Sequence, residues 1–209
     1  MNIIENLEWR YATKKFDPEK KVDEETIEKL KKAIQLSASS YGLQPYKILI
    51  IEDEALKKKL QPASWNQSQI VDCSHLFVFC SDATITDELT DDYVKLKAEV
   101  QSLDLADLQG YGDFVKKKLS EKSGHEKASW TTRQAYIALA NLLVACAELK
   151  IDACPMEGFE PSQYDEILNL SEQGLKACAL TTVGYRSEND TAQHQAKVRK
   201  PMEILFEKL

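Results

Sequence analysis

The stretch "RQAYIALANLLVACAELKIDACPMEGF", residues 133–159, decides the fold of this chain because it contains the longest apolar run. That run, residues 135–147, is too short to span a bilayer and is interrupted by Asn141. The wider segment 129–149 is apolar around much of its circumference, which predicts a long buried helix. We expect this helix to be either the central core helix or one face of a dimer.

Shorter patterns on both sides of this helix predict a mixture of helices and strands. Apolar side chains at helical spacing predict helices at residues 22–38, 86–103 and 129–149, the first with Asp23 as N-cap. Runs rich in β-branched and aromatic residues predict strands at residues 46–53, 75–81 and 176–185. The second strand is apolar on both faces and is therefore expected at the centre of the sheet.

The spacing of these elements indicates the fold class. The strands are too few and too far apart for a repeated βαβ array, and a polar, lysine-rich segment at 110–128 lies between the last two helices. We therefore predict an α+β fold with one layer of sheet covered by helices. No linker divides the chain, so a single domain over residues 1–209 is expected.

The bulk composition limits the classes of function. The chain has 209 residues, 43% of them hydrophobic and 29% charged, which is typical of a globular protein. A net charge of -7 and a pI near 5.1 argue against nucleic acid as the main partner. The first ten residues lack the features of a secretory signal, so a cytoplasmic location without a membrane partner is expected.

Several common chemistries are not indicated. The five cysteines are odd in number and form no CxxC pair, which favours reduced, mostly buried thiols over disulfides. The three histidines are scattered, so no metal site is expected. Gly110 and Gly112 have no third glycine and no strand before them, so they are not a dinucleotide fingerprint.

Two basic clusters stand near the ends of this acidic chain: "RYATKKF" at residues 10–16 and "KVRKP" at residues 197–201. Arg10 and Lys14 are four residues apart, so on a helix or its last turn they would project to one side. Arginine offers a fork of donors suited to a phosphate, and lysine a compact charge. The alternative is that both clusters are solvated surface.

The order of "RYATKKFDP", "SASSYGLQPYKILI", "WNQSQIVDCSHLFVFC", the stretch quoted first and "KVRKP" resembles the oxygen-insensitive nitroreductase family, the FMN-dependent NAD(P)H reductases. The similarity runs from about residue 3 to residue 201. "CPMEGF" after a long apolar helix is its most specific part. The resemblance implies a nitroreductase-like α+β fold with a central, mainly antiparallel sheet flanked by helices.

The resemblance also implies an intertwined homodimer with FMN at the subunit interface. Arg10, Lys197 and Arg199 would hold the FMN phosphate, and Lys14 would reach the N1 and C2 carbonyl side of the flavin. Ala38, Ser39 and Ser40 would come from the partner subunit. The remaining cofactor-binding residues implied are Tyr11, Ala12, Asn66, Gln69, Pro155, Met156, Glu157 and Gly158. The family often has serine at the position of Ala12, proline at that of Ala38 and, in some members, lysine at that of Gln69.

The implied reaction moves two electrons from NADH or NADPH through FMN to nitroaromatic, quinone or pteridine-type acceptors by a ping-pong mechanism. No side chain has to act as a catalytic nucleophile or general acid. Tyr41, Tyr111 and Phe114 are candidate substrate residues, within or next to a helical segment at 104–125. Two alternatives stay open: a non-enzymatic FMN-binding protein, and a relative with other flavin chemistry such as dehalogenation or flavin fragmentation.

Overall fold

The computed structural model describes residues 2–209, which fold into a four-stranded antiparallel sheet covered on both faces by helices. The strands are β1 (Tyr46–Ile51), β2 (His75–Asp82), β3 (Asp152–Met156) and β4 (Leu175–Gly184). The helices are α1 (Ile3–Trp9), α2 (Glu24–Gln35), α3 (Glu54–Ala63), α4 (Gln69–Asp72), α5 (Asp87–Gln101), α6 (Leu105–Ser120), α7 (Gly124–Glu148), α8 (Pro161–Ile167) and α9 (Met202–Leu205). The α+β prediction is confirmed.

The sheet has the strand order β1-β2-β4-β3, so β2 and β4 are its central strands. Side chains of β2 alternate between two cores because successive residues of a strand point to opposite faces. Leu76 and Val78 pack with α3, α4 and α8 on one face, whereas Phe77 and Phe79 pack with α2 and α7 on the other. The prediction that residues 75–81 form a central strand is confirmed.

Helix α7 spans 25 residues and begins with a capping box, in which Ser123 accepts the N–H of Glu126 and Glu126 accepts that of Ser123. One side of it is buried against the sheet. The opposite side leaves Ile137 41% exposed. The helix is therefore the central core helix and also presents an apolar side to solvent.

The sequence patterns predict no strand at residues 152–156. Strand β3 is short and contains Pro155, but it lies at the sheet edge, where a residue without an N–H is tolerated. The helical segment expected at 104–125 is confirmed as α6 and the start of α7, and these two helices also contain most of the lysine-rich segment 110–128. Residues 10–16 are not helical, because α1 ends at Trp9 and Arg10 is already extended (φ -71°, ψ 143°).

All five cysteines are free thiols, four of them buried and Cys178 partly exposed, as predicted. Within residues 2–209, none of the helices combines the length and the apolar character that crossing a membrane requires.

Lys57 is a fully buried lysine with an unusual environment. Its ammonium donates one hydrogen bond, to the carbonyl of Cys73 at 2.7 Å, and burial lowers its pKa. Between that lowered value and the unfolded value of about 10.4, the unfolded chain binds more protons, so this lysine makes stability rise with pH. Replacing Lys57 by Met is expected to remove this rise.

The measurement is the free energy of unfolding in urea at pH 7 and at pH 10 for the wild type, Lys57→Met and the control Lys58→Met. Lys58 is the exposed neighbour. The wild type should gain stability relative to Lys57→Met at the higher pH, while its difference from Lys58→Met stays constant. If the free energies of unfolding of Lys57→Met and Lys58→Met change equally between pH 7 and pH 10, the pH dependence does not come from Lys57.

Candidate functional site

The first basic cluster runs along the outer edge of β3. Ala12 forms a parallel bridge with Ala153, and the N–H of Thr13 donates to the carbonyl of Ala153 at 3.5 Å. Phe16, buried at the end of the cluster, bridges to Arg186. This pairing covers the free edge of the sheet and holds the segment extended beside "CPMEGF".

The second basic cluster meets the first. The Lys197 ammonium donates to the carbonyls of Leu7 at 3.0 Å and Glu8 at 2.9 Å and to that of Arg10, where the end of α1 concentrates negative charge. Burial, followed by the charges of Arg10 and Arg199, lowers the pKa of Lys197. The two clusters thus form one positively charged region, in which Lys197 is already held by carbonyl groups.

Arg10 has unused hydrogen-bonding capacity at this point. Its Nε is buried without a hydrogen-bond partner, and none of the ion pairs among residues 2–209 includes Arg10, Lys14, Lys197 or Arg199. Burial, followed by the charge of Arg199, lowers the pKa of Arg10. A buried donor and repelling cations are both stabilised by an anion, so the region fits a phosphate group.

Lys14 points toward the middle of β3. Its ammonium lies 3.9 Å from the Sγ of buried Cys154, and the Gln69 side chain also lies against this thiol. Burial raises the pKa of Cys154, and the nearby Lys14 opposes this shift. Next to Lys14, a cavity of about 270 Å³ opens between the two basic clusters, with Tyr11, Ala12 and Lys197 also in its wall.

The segment after β3 is packed against the loop that contains Asn66. The Gln67 side chain donates to the carbonyl of Gly158 at 2.8 Å, and a Cβ on Gly158 would lie 2.9 Å from the exposed indole of Trp65. A side chain at position 158 would therefore displace the Trp65 and Gln67 side chains. Trp65 and Asn66 both have positive φ, 54° and 56°.

Glu157 faces the long helix. The Tyr136 hydroxyl donates to its carboxylate, and both residues border a cavity of about 210 Å³ together with Pro155 and Met156. Burial and the Glu157 carboxylate raise the pKa of Tyr136, so the phenol stays protonated. Three of the residues implied at 155–158, namely Pro155, Met156 and Glu157, therefore border open space.

A second group forms around the loop after α2. The N–H of Ser40 donates to Gln134 Oε1 at 2.8 Å, and Ser39 Oγ accepts the N–H of Gln44 at 3.0 Å. Ala38, just before them, is exposed. These contacts hold the loop against α7.

The three candidate substrate residues also lie in this second group. The Tyr41 ring contacts Phe114 edge-on at 6.5 Å between ring centres, and the Tyr111 hydroxyl donates to the Tyr41 carbonyl at 3.2 Å. Tyr41 has φ 59°, an uncommon conformation for a residue other than glycine. The Trp130 ring also packs against Tyr41, with 6.4 Å between the ring centres.

The two groups are on different sides of α7. Gln134 contacts the Ser40 loop and Tyr136 contacts Glu157, and a separation of two residues corresponds to about 200° around a helix. Within residues 2–209, no hydrogen bond joins Ala38, Ser39 or Ser40 to the basic clusters or to residues 155–158. One chain therefore presents two separate groups of candidate residues, here called half-sites.

Comparison with known proteins identifies the family to which the chain belongs. The sequence model of the nitroreductase family matches residues 7–185. The chain belongs to the nitroreductase family. A Staphylococcus haemolyticus protein named as an NAD(P)H nitroreductase is 34% identical, with 98% of this chain and 96% of that protein aligned. The major NAD(P)H-flavin oxidoreductase of Aliivibrio fischeri is 36% identical over 90% of this chain and 89% of its own length.

Solved structures confirm the nitroreductase fold. A protein of Exiguobacterium sibiricum 255-15, described as a nitroreductase in complex with FMN, superposes with a TM-score of 0.88 at 18% sequence identity. The match covers 100% of this chain and 98% of that chain.

Four residues that contact the candidate site residues were not predicted: Gln67, Gln134, Tyr136 and Asp190. Each acts through a contact with a residue distant in the sequence, such as Tyr136 with Glu157 or Asp190 with Lys14. Asp190 lies in "RSENDT", a composition typical of any turn, so the sequence carried no signal for it.

Proposed function

We propose that this chain is an FMN-dependent oxidoreductase that moves two electrons from NAD(P)H to nitroaromatic, quinone or pteridine-type acceptors. The observation that carries the proposal is the buried, unpartnered Nε of Arg10 within a cluster of cations that lack a carboxylate partner. The similarity to the Aliivibrio fischeri NAD(P)H-flavin oxidoreductase supports the donor and the flavin. A single domain over residues 1–209 and a cytoplasmic location stay predictions from the sequence.

The proposed FMN site uses residues from both half-sites. Arg10 and Arg199 hold the phosphate, with Lys197 fixing the end of α1 beside them. The other proposed contacts come from Tyr11, Ala12, Lys14, Asn66, Gln69, Pro155, Met156, Glu157 and Gly158 of one chain and from Ala38, Ser39 and Ser40 of a second. When bound, FMN supplies the group that accepts a hydride from NAD(P)H and returns two electrons to an acceptor.

The protein's own contribution to the reaction is binding and electrostatics. The Lys14 ammonium, which is not in an ion pair within residues 2–209, would stabilise negative charge on the bound cofactor. Gly158 lets residues 155–158 pack closely against Trp65 and Gln67, which a Cβ would prevent. Because donor and acceptor use the same open space in turn, ping-pong kinetics are expected.

A homodimer is part of this proposal. It is supported by the position of the two half-sites on different sides of α7. Because they do not meet within one chain, a second chain is needed to bring them together. It is also supported by a C-terminal segment whose apolar side chains, including Met202, Ile204 and Phe206, are more than half exposed. Sedimentation that finds a monomer still holding FMN would contradict it.

The test of the function is the visible spectrum of the purified protein before and after anaerobic addition of NADH or NADPH. Flavin bands that bleach on addition of either nucleotide would support the proposal. Bound flavin that stays oxidised would instead favour a non-enzymatic FMN-binding protein. Analysis of the products under air would identify dehalogenation or flavin fragmentation.

Replacing Tyr41 is expected to change acceptor preference. Its ring lies between Phe114 and Trp130 and narrows the proposed acceptor space, which favours flat aromatic molecules. Asparagine is chosen as the replacement because it tolerates φ 59°, at which a β-branched residue would be strained. In Tyr41→Asn we expect the ratio of quinone to nitroaromatic turnover to change about threefold or more, roughly 0.7 kcal/mol of transition-state discrimination. Steady-state kinetics with one acceptor of each kind check this, and an unchanged ratio would contradict it.

A further inference from the structure

Asp190 is a buried carboxylate that joins the two parts of the chain from which the basic clusters come. It is 2% exposed. Its Oδ2 accepts three hydrogen bonds, from the Tyr11 hydroxyl at 2.9 Å, the Lys14 N–H at 2.8 Å and the Lys15 N–H at 3.2 Å. Its Oδ1 accepts the N–H of Ala192 at 3.1 Å. Four donors thus converge on one side chain.

These contacts favour the ionised form of Asp190. Burial by itself would raise its pKa, but the hydrogen bonds from Lys14, Tyr11 and Lys15 outweigh burial and the pKa is lowered. Hydrogen bonds to a carboxylate are roughly twice as strong as those between neutral groups. Asp190 therefore holds the main chain of the first basic cluster more firmly than turn hydrogen bonds alone would.

Because the main chain at Lys14 is held by Asp190, the Cα and Cβ atoms from which the lysine side chain extends are also held in place. Lys14 is bound to Asp190 through its N–H, while its ammonium lies 3.9 Å from Cys154 in the strand that precedes residues 155–158. Lys15 is held on both sides, because its carbonyl also accepts the N–H of Ser187. Lys14 is an exposed residue whose ammonium is outside any ion pair within residues 2–209, so its position depends on this backbone anchor.

We propose that Asp190 is a positioning residue of the electron-transfer site, which fixes the main chain at Lys14 and thereby sets the reduction potential of the bound flavin. This inference rests on the proposed function. A cation held close to the ring stabilises the charge added on reduction, whereas a mobile cation is replaced by water and does so less. Asp190 acts through Lys14 and does not itself touch the flavin.

The first test is Asp190→Asn in the FMN-loaded protein, with Asp53→Asn as the control. Asparagine keeps the size of the side chain but loses the charge and turns one acceptor into a donor. Asp53 is the N-cap of α3, accepts the N–H of Leu56 at 2.6 Å and lies outside the proposed site. We expect Asp190→Asn to make the midpoint potential more negative and to slow flavin reduction by NADH about tenfold. The control should match the wild type.

A second test requires no flavin. Amide hydrogen exchange of residues 10–16 in the apoprotein should become faster in Asp190→Asn and stay unchanged in Asp53→Asn. Unchanged exchange in Asp190→Asn would overturn the positioning role.

A double-mutant cycle with Lys14→Met separates positioning from a general structural effect. Lys14→Met alone should make the potential more negative, and adding Asp190→Asn should then cause no further shift. Additive shifts would mean that Asp190 does not act through Lys14, which would overturn the proposal. If Asp190→Asn does not fold, Tyr11→Phe removes one of the three bonds to Oδ2 and must shift the potential in the same direction. No shift in that variant would overturn the proposal.

The failure of this inference is distinguishable from that of the proposed function. A wild-type protein that does not bind FMN, or whose FMN is not reduced by NADH or NADPH, overturns the proposed function. A wild type that is reduced normally, with Asp190→Asn at the same potential and rate, overturns only the role of Asp190.

Discussion

Replacing Arg10 by Gln is expected to weaken FMN binding about a hundredfold, roughly 3 kcal/mol, because it removes two charge-assisted hydrogen bonds to the phosphate. Within residues 2–209, the buried Nε of Arg10 has no hydrogen-bond partner, so its donor capacity is available to a ligand. The same substitution removes a charge that Arg199 repels. The apoprotein should therefore unfold at the same temperature as the wild type or at a higher one.

The measurement is titration of the apoprotein with FMN, followed by quenching of flavin fluorescence or by calorimetry. Arg133→Gln is the matched control, because Arg133 is exposed on α7 and its guanidinium bonds only to Ser129. The control should bind FMN as the wild type does. Equal FMN affinities for Arg10→Gln and the wild type would favour the alternative interpretation, in which the basic clusters are solvated surface and bind no phosphate.

The central part of the fold was predictable because its signal is local. The run at 75–81 is apolar at every position from Leu76 to Cys80, and it became the strand that supplies both cores. Strand β3 was not predictable in the same way. Its five residues include a proline, and only its position at the sheet edge, a tertiary property, makes that proline compatible with a strand.

The candidate site was predictable where a motif carries it and not where long-range contacts complete it. The resemblance named Arg10, Lys14 and Lys197, and the structure brings both basic clusters together. It could not indicate that Lys197 caps α1, because that contact joins residues 190 positions apart. Nor could it indicate the anchor at Asp190, since the spacing of residues along a turn does not reveal what the turn packs against.

Replacing Arg186 by Met is expected to lower the free energy of unfolding of the apoprotein by about 3–5 kcal/mol. Arg186 donates from Nε to Oδ1 of Asp152 at 2.7 Å and from its N–H to Oδ2 at 2.8 Å. Its guanidinium also lies 4.4 Å from the centre of the Trp9 ring and 4.6 Å from that of Tyr11. Without it, Asp152, which is 5% exposed, would keep a buried charge with one backbone partner.

Urea unfolding of Arg186→Met, of Arg186→Met with Asp152→Asn, and of the exposed control Arg133→Met separates the two causes of this loss. If the cost comes from the uncompensated carboxylate, the double variant is more stable than the single one, because the buried charge is gone. The control should lie within about 0.5 kcal/mol of the wild type. If the single and double variants lose equal stability, the cost comes from lost packing against Trp9 and Tyr11, and the ion pair contributes little to holding the first basic cluster on β3.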